Sequence, residues 1–326
     1  MKLYCFTFVT YSILASSSAF FISAGKGRRI NCKHRNILYQ SIFPTDEDGF
    51  DEKKIPDNDE KEDEGSHMDF MASLNKRISE VKDRDTKKAL VVLDAMLPRQ
   101  VLKIQVKNAL LTELIRTQLY ERQDPTFGML GMAMLRSGQK INLTTGVEVE
   151  ILNGEFVDDD SVSLVLRGER RFKIVDEVEN TEQGWTEARV EYLDSEAQEA
   201  EELQGDDKLA LARAIMKARE LSSPNASMKN NLSLIDRWIE LARERERELG
   251  QIDQLLEDLG NVPGEDEPTE RALWVGALIN PLPAMGVATE IRPALLTAET
   301  AEEKVNIAFD GILKSIRHMD GTQPMW

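Results

Sequence analysis

The chain has 326 residues, of which 41% are hydrophobic and 30% charged, a composition that excludes a wholly disordered chain and suits one large domain or two ordinary ones. The 58 acidic residues outnumber the 41 basic ones and leave a formal net charge of −17, which argues against nucleic acid as the main partner because phosphate binding requires a cationic surface. From residue 68 onward the sequence holds no cysteine and a single histidine, His318. Thiol catalysis and zinc sites made of Cys and His are therefore excluded there, and we predict no cofactor.

The N-terminal segment has the composition of a targeting sequence. The first 45 residues contain six Lys/Arg and no Asp or Glu. A mostly apolar run follows Lys2, is too short for a confident membrane span, and leads to small residues that end at Ala19, as at a signal-peptidase site. A basic stretch then begins at Phe20. We predict a signal peptide over 1–19 and a transit peptide over 20–45, which together resemble the bipartite presequences of algae with complex plastids. The predicted location is the plastid, with secretion and the mitochondrion as alternatives.

Two short segments precede the main folded region. Residues 46–64 hold eleven Asp/Glu against three lysines, so we predict an acidic disordered linker over 46–67. The following segment, 68–84, has apolar residues at spacings of four, four and three, which predicts an amphipathic helix that docks on the next domain. These apolar residues are Phe70, Leu74, Ile78 and Val81.

Residues 88–195 are predicted to form mainly β structure. The apolar run 89–93 is typical of a buried strand, and a second extended segment covers 101–106. A helix with one apolar face follows over 110–119. From 127 to 193, apolar and polar residues alternate, and turn signals recur at intervals suited to an antiparallel meander or barrel. The turns are predicted at Asn153-Gly154, Asp158–Asp160 and Gln183-Gly184.

Residues 196–326 are predicted to be helical. The expected helices cover 205–221, 229–259, 268–279 and 301–319. The second of these shows a seven-residue repeat that predicts one helix of roughly 45 Å with a coiled-coil face. Its two repeat positions are occupied by Ile235, Ala242, Leu249 and Leu256, and by Trp238, Arg245, Ile252 and Leu259.

Three segments of the sequence carry distinctive motifs: Leu-Pro-Arg-Gln-Val-Leu at 97–102, Gly-Glu-Arg-Arg-Phe-Lys-Ile at 168–174 and Asn-Pro-Leu-Pro at 280–283. Together they resemble the N-terminal substrate-recognition domain of Lon proteases. Residues 97–102 are similar to that family's Pro-Gly-x-x-Leu-Pro-Leu segment, with Arg99 in place of the usual glycine. The segment 168–174 resembles the family's Gly-x-x-Arg-Phe-x-Ile strand, and 280–283 resembles its closing turn. The resemblance covers about residues 88–318. It implies an α+β fold in which a PUA-like β pseudobarrel is followed by an α-helical bundle subdomain, to which the heptad pattern adds one long helix.

Lon proteases also contain an ATPase with a Walker A loop, G-x-x-x-x-G-K-[ST], and a Ser/Lys protease domain. Neither matches this sequence, whose single Gly-Lys pair is Gly25-Lys26 in the presequence. We therefore expect a protein that is not an enzyme.

The candidate site residues fall in two groups. Met129, Met132 and Met134 are candidates for peptide binding, because methionine provides an adaptable apolar surface, although core packing explains them equally well. Gly168, Arg171 and Phe172 form a structural motif.

In that motif, Gly168 is expected to permit a turn in the strand, and Phe172 is expected to enter the core. Arg171 is expected to alternate outward and to tolerate substitution.

The resemblance implies a module that binds unfolded or exposed hydrophobic protein segments and acts as an adaptor to a protease or chaperone. Two alternatives stay open: a protein–protein scaffold that uses the long heptad helix, and an RNA-binding PUA-like module, which the acidic balance disfavours. We expect neither nucleic acid nor, for the mature form, a membrane as partner.

Overall fold

The computed structural model describes residues 86–134, 138–193, 205–224 and 231–322. The predicted signal peptide, transit peptide, acidic linker and docking helix lie outside the described residues. The described strands are β1 (Lys87–Val92), β2 (Val101–Lys107), β3 (Thr126–Met134), β4 (Lys140–Asp158), β5 (Ser161–Ile174), β6 (Glu179–Asn180) and β7 (Thr186–Tyr192). The described α-helices are α1 (Ala109–Arg116), α2 (Asp206–Ser222), α3 (Leu234–Arg243), α4 (Gln251–Leu259), α5 (Pro268–Ile279), α6 (Arg292–Thr297) and α7 (Ala301–Met319).

Five of the strands close into a ring. The sheet order is β2-β5-β4-β3-β1-β7-β6, and an additional pairing joins β5 to β7. The chain therefore forms a barrel in the order β5, β4, β3, β1, β7. The strand β2 is not part of this ring and pairs with residues 161–167 of β5, whereas β7 closes the ring on residues 172–174. The expected barrel is confirmed, but its strands are not all antiparallel as the turn spacing predicts, because β1 and β3 run parallel.

The strand β4 is longer than the sequence predicts. The Asn153-Gly154 pair was expected to form a turn, but both residues lie inside β4 and pair with Val165 and Leu164 of β5. A register shift between Ile151 and Asn153 makes this a β-bulge. Asn and Gly both tolerate irregular backbone conformations and therefore occur in bulges as well as in turns. The Asn-Gly pair thus marks a backbone irregularity, but the prediction that it is a turn is wrong. The turn at Asp159 and Asp160 is confirmed.

Local capping explains where several helices begin. The Asn108 side chain accepts a hydrogen bond from the Leu111 N–H at the start of α1, which continues into a π-helical turn over Thr117–Arg122. Thr300 and Glu303 form a reciprocal capping box at the start of α7. Both α5 and α7 have the bounds that the sequence predicts.

The prediction of one long helix over 229–259 is wrong. This segment contains α3 and α4, which are separated by a loop that ends at Gly250, where φ is 83° and therefore left-handed. The Glu246 carboxylate accepts hydrogen bonds from the N–H groups of Gly250 and Ile252, at 3.1 and 2.8 Å, and so caps α4. Leu249, an apolar position of the heptad pattern, is fully exposed. Two short helices that face one core produce the same repeat as one long helix, because periodicity alone does not reveal a break between them.

The helices pack around α7, which contacts α2, α3, α5 and α6. The main hydrophobic cluster is continuous from the strands to the helices and includes Val149, Leu166, Trp238 and Ile312. The barrel and the helices therefore share one core.

Candidate functional site

The three candidate methionines have different environments. Met129 is 2% exposed and belongs to the main core, because β3 pairs there with both β1 and β4. The structure thus contradicts its assignment to peptide binding. Met132 is 38% exposed. Met134 pairs with Lys140 through the backbone, and its side chain lies outside the described part of the structure.

Met132 lies on a ribbon formed by the ends of β3 and β4. Beyond Leu130, the described residues of β3 pair with β4 alone, with Met132 opposite Asn142 and Ala133 opposite Ile141. Because successive side chains on a strand point to opposite faces, Met132 and Ile141 lie on different faces of this ribbon. Ile141 is also 38% exposed. The ribbon, which we define as residues 132–134 and 140–142, therefore presents an apolar side chain on each face.

Gly168 has a structural role, as the sequence predicts, but the physical reason for the glycine differs from the predicted one. It lies within β5, where the turn at Leu97–Gln100 crosses the strand, and its N–H donates to the Gln100 carbonyl at 2.9 Å. A Cβ atom at residue 168 would be 2.4 Å from the carbonyl oxygen of Leu97. Glycine is therefore needed for the close approach of two backbones rather than for a turn in the strand.

Phe172 fills the inside of the barrel. It belongs to a second buried cluster with Leu90, Leu130, Ala188 and Val190. Together with Phe172 these residues come from four of the five ring strands. The fifth strand, β4, contributes Gly146 opposite Phe172. The core position predicted for Phe172 is confirmed.

Arg171 does not point outward as predicted, since it is only 6% exposed. In the pairing of β4 with β5, Val149 is opposite Gly168 but Val147 is opposite Arg171, so β5 contains one extra residue between them. Such a bulge exchanges the two faces of the strand. It directs Phe172 into the barrel and places Arg171 beside the main core, and strict alternation could not have predicted this.

A buried polar cluster lies beside the inner cluster of the barrel. The Glu148 carboxylate is 2.9 Å from the Lys88 ammonium and accepts hydrogen bonds from the Tyr192 hydroxyl at 2.7 Å and from Arg170 at 2.9 Å. The Arg170 guanidinium also lies over the Tyr192 ring, 3.8 Å from its centroid. Lys88 completes its contacts by donating to the Thr126 hydroxyl at 2.9 Å.

These contacts determine the ionisation of the cluster. Burial alone would raise the pKa of the Glu148 carboxyl, but the hydrogen bonds from Tyr192 and Lys88 outweigh it and hold the pKa below its ordinary value. Burial and the hydrogen bond to Glu148 raise the pKa of the Tyr192 phenol. The Glu148 carboxylate is therefore held ionised inside the barrel by the cationic and hydroxyl groups that surround it.

A polar surface cleft is lined by residues of both the barrel and the helices. It has a volume of about 380 Å³ and is lined by Pro98, Arg99, Arg167, Gly168, Glu169, Asp258 and Glu270. Arg99, which stands where the related motif has glycine, adopts a left-handed φ of 67°. Its guanidinium donates to the Asn261 carbonyl at 3.1 Å. This hydrogen bond links the turn before β2 to the loop after α4. The arginine that replaces the glycine of the family motif therefore cross-links these two segments.

Sequence reasoning missed the polar cluster and the open edge of β2. The residues of the cluster are far apart along the chain and share no motif, so no local signal could have found them. The alternation of Leu102, Ile104 and Val106 with polar residues was visible in the sequence, but the position of β2 at the end of the sheet was not.

Among the described residues, no group of three or more His, Cys, Asp or Glu side chains is placed to hold a metal ion. No helix in the described ranges is both long enough and apolar enough to cross a membrane.

Comparisons with known proteins give the family. A Lon N-terminal domain protein from Xanthomonas campestris is 16% identical, with 69% of this chain and 98% of that chain covered and a TM-score of 0.38. The N-terminal domain of the Mycobacterium avium complex Lon protease is 16% identical, with 70% and 98% covered and a TM-score of 0.40. No curated protein matches the chain. Residues 88–283 match the family described as the ATP-dependent protease La (LON) substrate-binding domain, and the chain belongs to this family.

Proposed function

We propose that this protein is a non-catalytic member of the Lon substrate-binding family that binds unfolded or exposed hydrophobic segments of other proteins. The family match supports a protein substrate. The observation that carries the proposal is the ribbon, where Met132 and Ile141 are exposed on opposite faces and where the described ends of β3 and β4 pair only with each other. A flexible thioether and a branched aliphatic side chain offer apolar contact without a fixed sequence requirement.

The binding step is tested by replacing both ribbon residues. The double variant Met132→Ser/Ile141→Ser should bind a permanently unfolded client, such as reduced and carboxymethylated lactalbumin, about tenfold more weakly in calorimetry, because apolar contact area is lost. The melting temperature should change little, since both side chains are already exposed.

A matched control removes exposed apolar side chains elsewhere. Leu209 and Met216 on α2 are 56% and 69% exposed, and the double variant Leu209→Ser/Met216→Ser should keep the affinity of the unchanged chain. Equal losses in the two double variants would mean that the ribbon has no special role.

We further propose that the protein acts as an adaptor that delivers its client to a protease or chaperone, without hydrolysing ATP. The absence of a Walker A match in this sequence supports that assignment. The scaffold alternative loses its main support because the heptad segment is two short helices. The closed ring of five strands supports the PUA-like interpretation of the barrel.

For the location we propose the plastid, on the strength of the acid-free first 45 residues. A fluorescent reporter fused behind residues 1–45 should accumulate in the plastid of an alga with complex plastids. Phe20→Glu should reduce that import, and a cytosolic reporter would contradict the proposal.

A further inference from the structure

The strand β2 has an open edge. It pairs with β5 over all seven residues, Val101–Lys107, and within the described ranges with no other strand. Gly168 N–H donates to the Gln100 carbonyl, and Asn108 N–H donates to the Asp160 carbonyl. Hydrogen-bonded positions alternate along an antiparallel pair, so the backbone N–H and C=O groups of the even-numbered residues in this segment point toward β5.

The odd-numbered residues consequently direct their backbone groups away from the sheet. These are Val101, Lys103, Gln105 and Lys107, and none of their N–H or C=O groups bonds to another described residue. An unpaired edge of this length is a template for one more strand.

The side chains of β2 indicate what kind of strand fits. Leu102, Ile104 and Val106 pack against the main core but stay half-buried, so an added strand could cover the rest of their surface. On the other face Lys103 and Lys107 are exposed. Neither ammonium forms an ion pair with a carboxylate of the described residues, so both are available to pair with acidic residues of an added strand.

The charges also decide between possible occupants. If a second copy added its own β2 antiparallel and centred on Gln105, Lys103 of each copy would lie opposite Lys107 of the other, which is unfavourable for like charges. The acidic segment 46–64 of this chain has the right charge but almost no apolar residues to cover the half-buried face. A client strand that alternates apolar with acidic residues satisfies both faces.

We propose that the edge of β2 binds an extended client segment by strand addition, with apolar residues opposite Ile104 and Val106 and acidic residues opposite Lys103 and Lys107. This inference rests on the proposed function and names the surface and the client chemistry. The backbone supplies the sequence-independent part of the affinity, and the two lysines select acidic residues.

The first test uses a labelled peptide that contains Asp-Val-Thr-Val-Asp, with fluorescence anisotropy on the full chain. Lys103→Glu/Lys107→Glu should weaken its binding about tenfold and strengthen binding of the Lys-Val-Thr-Val-Lys peptide, because two cross-strand attractions become repulsions. The charge-matched control Lys208→Glu/Lys314→Glu, at two exposed lysines on α2 and α7, should change neither affinity. Equal effects of the two double variants would overturn the proposal in favour of nonspecific attraction.

The second test addresses the backbone. Gln105→Pro removes an N–H that points away from β5, and proline is tolerated at such edge positions. The variant should keep the circular-dichroism spectrum and melting temperature of the unchanged chain and lose at least about tenfold in peptide affinity. Methylating alternate amides of the peptide should abolish binding for one set of positions and spare the other set.

Two results would overturn strand addition. One is peptide affinity unaffected by Gln105→Pro in a folded variant; the other is a dimer of the unchanged chain in sedimentation that this substitution dissociates. If unfolded lactalbumin still binds the unchanged chain in either case, the proposed function stands and only the β2 assignment fails. If neither lactalbumin nor the peptide binds, both proposals fail.

Discussion

Phe172 occupies the centre of the barrel because two glycines make room for its ring. A Cβ atom at Gly128 would lie 2.8 Å from the Phe172 Cζ, and one at Gly146 would lie 2.7 Å from it. Both distances are shorter than real contacts, so the large residue and the two small ones depend on each other. The bulge before Arg171 turns Phe172 toward this space.

We expect Phe172→Ala to lower the free energy of unfolding by about 3–5 kcal/mol, because it empties a fully buried site that the neighbouring strands cannot refill. Denaturant titration followed by circular dichroism measures this change. Lys173→Ala is the control, since Lys173 is exposed beside the same site and should change stability by less than about 0.5 kcal/mol. Equal shifts in the two midpoints would show that the ring does not fill the barrel.

The buried cluster around Glu148 should make stability depend on acid. The pKa of Glu148 in the folded state lies below its ordinary value of 4.5, so the stabilisation is present above about pH 4.5 and is lost as the pH falls through the lower, folded-state pKa. Glu148→Gln should lower the free energy of unfolding at pH 7 and should make that free energy decline less between pH 5 and pH 3. Parallel stability curves for the two proteins over that range would contradict this linkage.

At the scale of elements, specific residues in the loop between α3 and α4 determine where α4 begins. Gly250 adopts a left-handed conformation, and the half-buried Glu246 carboxylate satisfies two N–H groups that would otherwise be unpaired at the start of α4. Trp238 in α3 and Ile252 in α4 are buried on either side of this break.

Glu246→Ala should destabilise the protein by about 1–2 kcal/mol, the usual cost of losing a helix cap. Glu246→Gln keeps one acceptor oxygen and should lie between the alanine variant and the unchanged chain. The exposed neighbour Glu248 provides the control, and Glu248→Ala should leave the thermal midpoint nearly unchanged. A long continuous helix would instead make Glu246 and Glu248 equivalent.

For the molecule as a whole, Gln100 joins the barrel to the helices. Its side chain is buried, accepts a hydrogen bond from the Leu97 N–H at 2.9 Å, and donates to the carbonyls of Asn280 and Ala277 at 2.9 and 3.3 Å. Asn280 terminates α5. One amide thus connects the turn before β2 to the end of a central helix, and the continuous core makes the two parts one cooperative unit.

Gln100→Ala should cost about 2–4 kcal/mol, because it leaves buried N–H and C=O groups unsatisfied on both sides of the joint. Gln105→Ala removes an exposed amide of the same type and should cost less than about 0.5 kcal/mol. Guanidinium unfolding followed by far-ultraviolet circular dichroism and by tryptophan fluorescence measures both. Two separate transitions in the unchanged chain would show that the barrel and the helices unfold independently.

The sequence by itself determined the features that depend on neighbouring residues. The bounds of α5 and α7 follow from Pro268 and the Thr300–Glu303 box, and the motifs at 97–102, 168–174 and 280–283 together indicated the family. Only the tertiary structure decided which apolar residues are covered, since periodicity shows that a face is buried without showing what buries it. On the one strand β3, Met129 packs into the main core, whereas Met132 lies beyond the segment that pairs with β1 and is exposed. The same limitation hid the bulge at Arg171 and the open edge of β2, which depend on partners distant in the chain. The break before Gly250 is specified locally, by Gly250 and the Glu246 carboxylate, but the heptad pattern runs through it without a gap.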